Sequence, residues 1–280
     1  SIQGLSSLDY EPTKCRYGIG VVIMEFVDTT PTQKGGVFIP SEALMINGRT
    51  IEEQISGYQT LTVTGRGPLP KKITAEKPDG RDGQRFIEAY YTTRSIVVAY
   101  QIIADTAEDL IAKYSQLATI LGNNEFEFNF KDDPDWYYTG TVSATSDLPV
   151  GVLAGNGSFT ITCSDPHSYS TTKSVLITNS GTVQDSCTSA KLIEIDYIPS
   201  ETATTIAITN GNYKMSFSGA TVNAGDMLSI DPINQVVRLN GTDKTAWLDF
   251  DSDFENFPAL GNFAVSPNGR LAITYKKERT

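Results

Sequence analysis

The 280-residue chain has few of the side chains on which many enzyme active sites depend. It contains a single histidine, His167, and three widely spaced cysteines, Cys15, Cys163 and Cys187. One histidine and no CxxC pair leave no recognisable spacing for a zinc site. An odd, scattered set of cysteines also favours a reducing compartment over a disulfide framework. The composition therefore argues against metal-dependent and thiol-based chemistry.

Long apolar runs and clustered basic residues are missing as well. No apolar run approaches the roughly 18 residues that a membrane-spanning helix needs, and Ser1 to Gly4 lack the basic start and apolar core of a signal peptide. The net charge is −11, with a pI near 4.6. Non-specific nucleic-acid binding is disfavoured, because phosphate contacts need clustered Lys and Arg. We expect a soluble protein, made in the cytoplasm, with no membrane partner and no cofactor.

What the chain does contain favours strands, since it is rich in Tyr, Phe, Thr and Val. The first half predicts one helix, from Thr106 to Leu121, with Thr106 as N-cap and Gly122, a residue that tolerates the left-handed conformation, at its end. A tight turn is predicted at residues 155–157 and an acidic turn at residues 132–135. The predicted strands of this half cover residues 18–24, 60–65, 95–103, 126–130, 136–142 and 158–163.

The second half has a different sequence pattern. Short strand patterns recur about every ten residues between Asn- and Gly-rich turns, and no helix pattern appears. This pattern is typical of an antiparallel β-sandwich. We predict a polar junction at residues 169–173, and domains at residues 1–168 and 169–280. The predicted strands of this half cover residues 174–177, 192–197, 205–208, 213–217, 227–231, 236–239, 263–267 and 271–275.

The stretch from Arg66 to Arg94 differs from the rest of the chain in charge. It holds seven basic and four acidic residues, a net charge of +3 in a chain of net −11. Two interpretations stay open: a solvated long hairpin, or a contact surface for an acidic partner. The candidate contact residues are Lys71, Lys72, Arg81 and Arg85.

Other motifs indicate structure more readily than chemistry. His167 follows Asp165-Pro166 at a strand end and indicates a turn histidine. Gly65-Arg66-Gly67-Pro68 lacks the Lys and Ser/Thr of a phosphate-binding loop. Around Pro134, aspartates 132, 133 and 135 are ordinary turn residues. We therefore predict that the protein is not an enzyme.

Four carboxylates at alternating positions superficially suggest a calcium loop: Asp249, Asp251, Asp253 and Glu255. An EF-hand would need glycine where Phe254 stands and glutamate where Leu260 stands. A solvated edge is the ordinary interpretation, and a metal-stabilised surface protein, bacterial or prophage-encoded, stays open as an alternative.

Several segments, taken in order, resemble one protein family. They are Tyr90 to Arg94 before the long strand, the capped helix, the acidic turn leading into Trp136-Tyr137-Tyr138, and the segment Gly157–Pro166 at the end of the first half. In the second half they are Ile177–Thr182, Leu228–Asp231, Val236–Gly241 and Phe257–Asn262. These segments resemble the distal tail proteins of long-tailed bacteriophages, the siphophages.

The resemblance implies a mainly β fold: an N-terminal belt-type β-sandwich with one α-helix, and a C-terminal galectin-like antiparallel β-sandwich. It implies a homohexameric ring at the tail tip, between the tail tube protein and the tail-associated hub or lysin protein. Receptor-binding or baseplate proteins would attach to this ring, and DNA would only pass through it. The protein would lie in the virion, and in the host bacterial cytoplasm during assembly.

A glycan-binding adhesion module is the alternative function, with Trp247 or Trp136 as the stacking platform. The lone histidine disfavours galectin-type sugar binding in the C-terminal sandwich. Acidity also bears on the ring, because residues 1–167 carry a net charge of −8 and the remainder −3. A channel wall that repels phosphate would let DNA slide without sticking.

Overall fold

The chain is built mainly from β-strands, as predicted. The computed structural model describes residues 38–80, 82–147 and 152–280. The predicted strand at residues 18–24, Cys15 and Arg81 lie outside these ranges. The elements up to residue 163 are β1 (Leu44–Ile46), β2 (Arg49–Thr50), α1 (Ile51–Gln54), β3 (Tyr58–Thr64), β4 (Lys72–Glu76), β5 (Arg85–Tyr90), β6 (Arg94–Ile103), α2 (Ala107–Leu121), β7 (Phe126–Phe130), β8 (Asp133–Thr145) and β9 (Ala154–Cys163).

The remaining elements are strands and one 3₁₀ turn. They are β10 (Ser168–Ser170), β11 (Lys173–Thr178), β12 (Ser180–Val183), β13 (Ser189–Pro199), β14 (Ala203–Asn210), β15 (Tyr213–Val222), β16 (Leu228–Asp231), β17 (Val236–Leu239), β18 (Thr242–Asp243), the 3₁₀ turn Thr245–Trp247, β19 (Gly261–Ser266) and β20 (Gly269–Arg279).

The first hydrophobic core is formed by side chains from the elements β1 to β9. Strands β3, β6, β9 and β8 pair antiparallel in that order, and the first half of β8 pairs with β7, which pairs with β1. Alternate residues of β6 point into this core, so that Ile96, Val98, Tyr100 and Ile102 are buried while their neighbours are not. The strand predicted at residues 95–103 is therefore confirmed.

Helix α2 covers this core with one apolar face. The Thr106 side chain accepts a hydrogen bond from the Asp109 amide at 3.1 Å, which confirms the predicted N-cap. Leu110, Leu117 and Leu121 are buried at helical spacing. The helix ends at Leu121 with Gly122 as its C-cap, as predicted, but Gly122 has φ −78° and ψ −2° and so does not use the left-handed conformation that glycine tolerates.

A second short helix, α1, was not predicted. Its N-cap is Thr50, whose side chain accepts from the Glu53 amide at 3.3 Å, while Glu53 accepts from the Thr50 amide at 3.0 Å. This reciprocal capping box stabilises a helix of four residues that is too short to show a helical apolar period.

The second hydrophobic core lies between two antiparallel sheets. One sheet has the order β18-β17-β16-β13-β20, with β11 also paired to β20, and the other has the order β12-β19-β14-β15. Their facing side chains form a cluster that runs from Ile177 to Tyr275 and shares no buried residue with the first core. This is the sandwich that the recurring strand pattern predicted.

Strand β10 occupies the segment for which a polar junction was predicted. Tyr169 pairs with Tyr137 of β8 on one side and with Glu278 of β20 on the other. The segment between the two cores is therefore not a loop throughout, because residues 168–170 form a strand between irregular stretches at residues 164–167 and 171–172. The domain boundary at residues 168 and 169 stays a prediction.

Two predicted turns were placed wrongly. Residues 155–157 lie inside β9, where Gly157 pairs with Tyr100. Strand β8 begins at Asp133, so the acidic segment turns only at Lys131 and Asp132. Glycine and aspartate favour turns, but here tertiary pairing outweighs that local preference.

Candidate protein-contact surface

The stretch from Arg66 to Arg94 contains a two-stranded hairpin, β4–β5, that forms a sheet of its own. Lys72 lies opposite Tyr90 and Glu76 lies opposite Arg85. The register shifts between Thr74 and Ala75, which leaves Ile87 as an additional residue on β5. This segment therefore forms a hairpin, as the sequence predicted.

One face of the hairpin is apolar and exposed. Ile73 and Ala75 share a face of β4, and their partners Ala89 and Phe86 lie directly opposite on the same face. Ile73 is 65% exposed and Phe86 is 62% exposed. With Ile87, also exposed, they form a surface that nothing in the described part of the chain covers. Exposed apolar groups that lie together mark contact sites more often than isolated ones do.

The basic candidate residues lie on or beside the opposite face. The Lys72 ammonium lies 5.9 Å from the centre of the Tyr90 ring, and the Lys71 ammonium lies 4.9 Å from that of Tyr91. Arg85 is exposed beside Glu76. Thus Lys71, Lys72 and Arg85 belong to one hairpin, whereas Arg81 is outside the described residues.

Two other arginines of the same stretch have internal roles. Arg94 is 1% exposed and donates to three carbonyl oxygens, those of Pro166, Gly65 and Gly67, at 2.8 to 2.9 Å. Arg66 pairs with Asp132 at 2.8 Å. Two basic residues of the stretch, Arg66 and Arg94, therefore hold the base of the hairpin, whereas Lys71, Lys72 and Arg85 face solvent.

His167 lies where the two halves of the chain meet. Its Nδ1 is 2.8 Å from Asp165 Oδ1, and its Nε2 is 3.3 Å from Glu278 on β20. The Tyr169 hydroxyl donates to the other Asp165 oxygen at 2.6 Å. Burial opposes ionisation of Asp165, but these hydrogen bonds from Tyr169 and His167 outweigh it and hold its pKa below the ordinary value. This arrangement joins β20 to the segment before β10.

The acidic run Asp249 to Glu255 does not converge on one point. Asp249 accepts from Ser218, Asp253 accepts from the Lys214 amide at 2.9 Å, and Glu255 accepts from Gln235 at 2.8 Å. Across the described ranges, no group of three or more His, Cys, Asp and Glu side chains is placed to hold a metal ion.

Both tryptophans carry a cation over one ring face. The Arg279 guanidinium lies 4.4 Å from the centre of Trp136, and the Lys244 ammonium lies 5.0 Å from that of Trp247. Trp247 also packs against the second core. A sugar would stack on such a face, so this geometry does not favour the glycan-binding interpretation.

The described cysteines, Cys163 and Cys187, are free thiols. Burial raises the pKa of Cys163 to about 11, although the nearby Arg94 charge opposes this. The thiolate is the reactive form, so Cys163 is chemically inert at neutral pH. None of the described helices has the length and apolar content to cross a bilayer.

Comparison with known proteins gives family matches over both halves. Residues 47–163 match the phage tail protein RIFT-related domain, and residues 180–278 match the siphovirus-type tail component, C-terminal domain. No curated protein matches the chain.

One solved structure shows the same fold. The crystal structure of the Dit protein of phage SPP1, described as a paradigm of the hub adsorption apparatus in phages that infect Gram-positive bacteria, matches with a TM-score of 0.72. The two are 17% identical, and the match covers 85% of this chain and 99% of that one. A chain of the phage P2 baseplate in its activated conformation matches with a TM-score of 0.46 and 8% identity, over 80% of this chain and 91% of that one.

The two family matches and the two-core β fold define a component of a siphovirus-type tail. The chain belongs to the siphophage distal tail protein family. Sequence reasoning reached this family from segment order, and it missed Ile73, Phe86 and Ile87. Their apolar character was visible, but the extra residue Ile87 breaks the two-residue alternation that would have identified one face.

Proposed function

We propose that this protein forms a closed homohexameric ring at the distal end of the phage tail. The ring joins the tail tube protein above to the hub protein below and carries the receptor-binding or baseplate proteins. Family membership supports this proposal, and the observation that carries it is the exposed apolar face of β4–β5. An amphipathic hairpin gains little in a monomer, whereas a symmetric ring would cover its apolar face.

In this proposal the hairpin contacts a neighbouring copy of the chain. Ile73, Phe86 and Ile87 supply the apolar part on one face of the hairpin, and Lys71, Lys72 and Arg85 lie on or beside its other face. The arginines before and after the hairpin fix its base, so the strands are presented at a defined position. A preorganised surface loses less entropy on binding than a mobile one. Arg81 is proposed as a further basic contact on the evidence of the sequence.

The acidity of the chain supports a role in DNA passage. Residues 1–167 carry a net charge of −8, and in a ring of the proposed kind this half surrounds the channel. Carboxylates repel phosphate, so the wall would not hold the genome. We propose no catalytic activity for the protein and a location in the virion after assembly in the host cytoplasm. DNA binding by the assembled ring at physiological salt would contradict the passage proposal.

The assembly proposal is tested by native mass spectrometry of the purified protein, alone and with the adjacent tail proteins. We expect a hexamer for the native chain. Ile73→Ser with Phe86→Ser should reduce the hexamer at least tenfold without lowering the monomer melting temperature, because the replaced side chains are exposed in the monomer. Combined Lys71→Glu, Lys72→Glu and Arg85→Glu should also weaken assembly.

The matched control changes three exposed arginines elsewhere, Arg49, Arg238 and Arg270, to glutamate. It alters the net charge by the same amount, so it separates a local contact from general repulsion. A chain that stays monomeric at high concentration with its tail partners would overturn the ring. A hexamer that both hairpin variants leave intact would overturn only the role of the hairpin.

A further inference from the structure

The loop from Leu248 to Glu255 is fixed to the edge of the second sandwich. The Asp249 amide donates to the Ser216 carbonyl at 2.8 Å, and the Asp253 amide donates to the Lys214 carbonyl at 2.8 Å. In return, the Ser216 amide donates to the Ser252 hydroxyl at 3.0 Å. The loop therefore continues the sheet beyond β15 with backbone hydrogen bonds, and its conformation is set before any partner binds.

The three phenylalanines of this region point in different directions. Phe254 and Phe257 are buried at 8% and 5% exposure and belong to the second core. Phe250 is exposed to the full extent of its side chain, at 107%. It stands at the turn between Asp249 and Ser252, where the Ser252 amide donates to the Asp249 carbonyl at 3.1 Å. The buried rings of Phe254 and Phe257 thus fix this region to the core, and the ring of Phe250 projects into solvent.

Carboxylates flank Phe250 along the loop. This loop carries four negative charges, those of Asp249, Asp251, Asp253 and Glu255. The positive charge of Lys214, which helps to lower the pKa of Asp249, offsets one of them. The hydrogen bond from the Ser218 hydroxyl holds the pKa of Asp249 below its ordinary value, so this carboxylate stays charged in mildly acidic solution. The surface joins a rigid apolar projection to a negatively charged rim.

We propose that Phe250 is the anchor of a docking site for a second virion protein, one that presents an apolar socket bordered by Lys or Arg. Interfaces concentrate their binding energy in a few aromatic or arginine residues that fill pockets. A phenylalanine supplies about 150–250 Å² of surface for burial. The proposal rests on the proposed function, because it requires the chain to be in the tail.

Charge favours a different protein over a second copy of this chain as the partner at Phe250. Outside residues 66–94, which carry +3, the chain of net charge −11 has a net charge of −14, so the acidic rim repels that part of another copy. Its basic stretch, residues 66–94, is assigned above to the ring contact. A positively charged socket on a different protein complements the rim, increases the rate of association and makes the contact sensitive to salt.

The test places the photocrosslinking amino acid p-benzoylphenylalanine at position 250 in the gene of the intact phage. Purified particles are irradiated, and crosslinked peptides are identified by mass spectrometry. We expect an adduct with a peptide of another virion protein, at a surface that contains Lys or Arg. The matched control carries the same crosslinker in place of Leu176, another exposed apolar residue of the same sandwich, 67% exposed, and should give no such adduct.

Charge reversal makes the test specific. Asp251→Lys with Glu255→Lys should reduce the adduct at least tenfold, and Phe250→Ala should weaken binding of the purified partner by about tenfold to a hundredfold. Both variants should melt at the native temperature. Adducts only within this chain, no adduct, or an adduct that survives charge reversal would overturn the docking site. Absence of the chain from purified particles would instead overturn the proposed function.

Discussion

Arg94 at the start of β6 donates from Nε to the carbonyl oxygen of Pro166 at 2.8 Å, although the two residues are 72 positions apart. The same guanidinium donates to Gly65 and Gly67 and lies 5.7 Å from the centre of the Tyr138 ring. One buried side chain therefore connects three segments of the chain: residues 65–67 before the hairpin, the strand β6 that follows it, and the segment before β10.

Replacing this arginine should be strongly destabilising. Arg94→Met leaves three carbonyl oxygens without their donor, and we expect the free energy of unfolding to fall by about 3 kcal/mol. Arg94→Lys keeps the charge but loses the planar fork, so it should recover only part of this loss. Urea denaturation measures both, and exposed Arg85→Met serves as the control, within about 0.5 kcal/mol of native. Equal midpoints for Arg94→Met and Arg85→Met would refute this role.

Gly157 allows β9 to pass close to a tyrosine ring. A Cβ at this position would lie 2.6 Å from Cζ of Tyr100, which is itself buried in the first core. We expect Gly157→Ala to lower the free energy of unfolding by about 1–3 kcal/mol, because the ring or the strand must shift. Gly67→Ala is the control, since no atom lies within 4 Å of its Cβ position. Thermal unfolding that does not distinguish the two variants would contradict this explanation.

Elements with a local period could be predicted from the sequence. The apolar run of β6, rich in β-branched residues, marks a strand, and the spacing of Leu110, Leu117 and Leu121 marks the buried side of α2. Such patterns need no knowledge of the rest of the chain. The recurrent strand pattern after residue 173 predicted the second sandwich for the same reason.

Features that depend on distant partners could not be predicted. The sequence does not show that Arg94 is buried, because its acceptors come from positions 65, 67 and 166. Nor does it show which of Phe250, Phe254 and Phe257 faces solvent, since all three occur in one acidic run. The docking proposal and the apolar hairpin face therefore come from tertiary structure, whereas the basic character of the hairpin was visible beforehand.

Stability should depend on pH through Asp185. This carboxylate accepts from Lys173 and Lys277, each at 2.8 Å, and from the Tyr275 hydroxyl at 2.9 Å. The hydrogen bonds from Lys173 and then Lys277 hold its pKa well below the ordinary value. Because the folded pKa is depressed, its contribution is present above the unfolded pKa of about 3.9 and is lost as the pH falls through the folded value.

The melting temperature should therefore fall as the pH is lowered from about 5 towards 2, a range in which other hydrogen-bonded carboxylates also contribute. Asp185→Asn should lower stability at pH 7 and make this acid dependence less steep. Asp79→Asn removes an exposed carboxylate from the hairpin turn and should leave the slope unchanged. Parallel curves for native protein and Asp185→Asn would show that the carboxylate does not govern the acid response.

The two cores should belong to separable domains, with the boundary near residues 168–173. Every buried side chain of the second cluster lies between Ile177 and Tyr275, so a fragment of residues 172–280 retains that core intact. We expect this fragment to fold into an all-β unit with cooperative thermal unfolding, measured by circular dichroism. A fragment beginning at Ser180 lacks β11, which pairs with β20 from Lys173 to Thr178, and should be less stable. Both fragments lose β10, so their difference isolates β11. A disordered 172–280 fragment, or one with substantial helix, would mean that the ladder through β10 makes the two halves one folding unit.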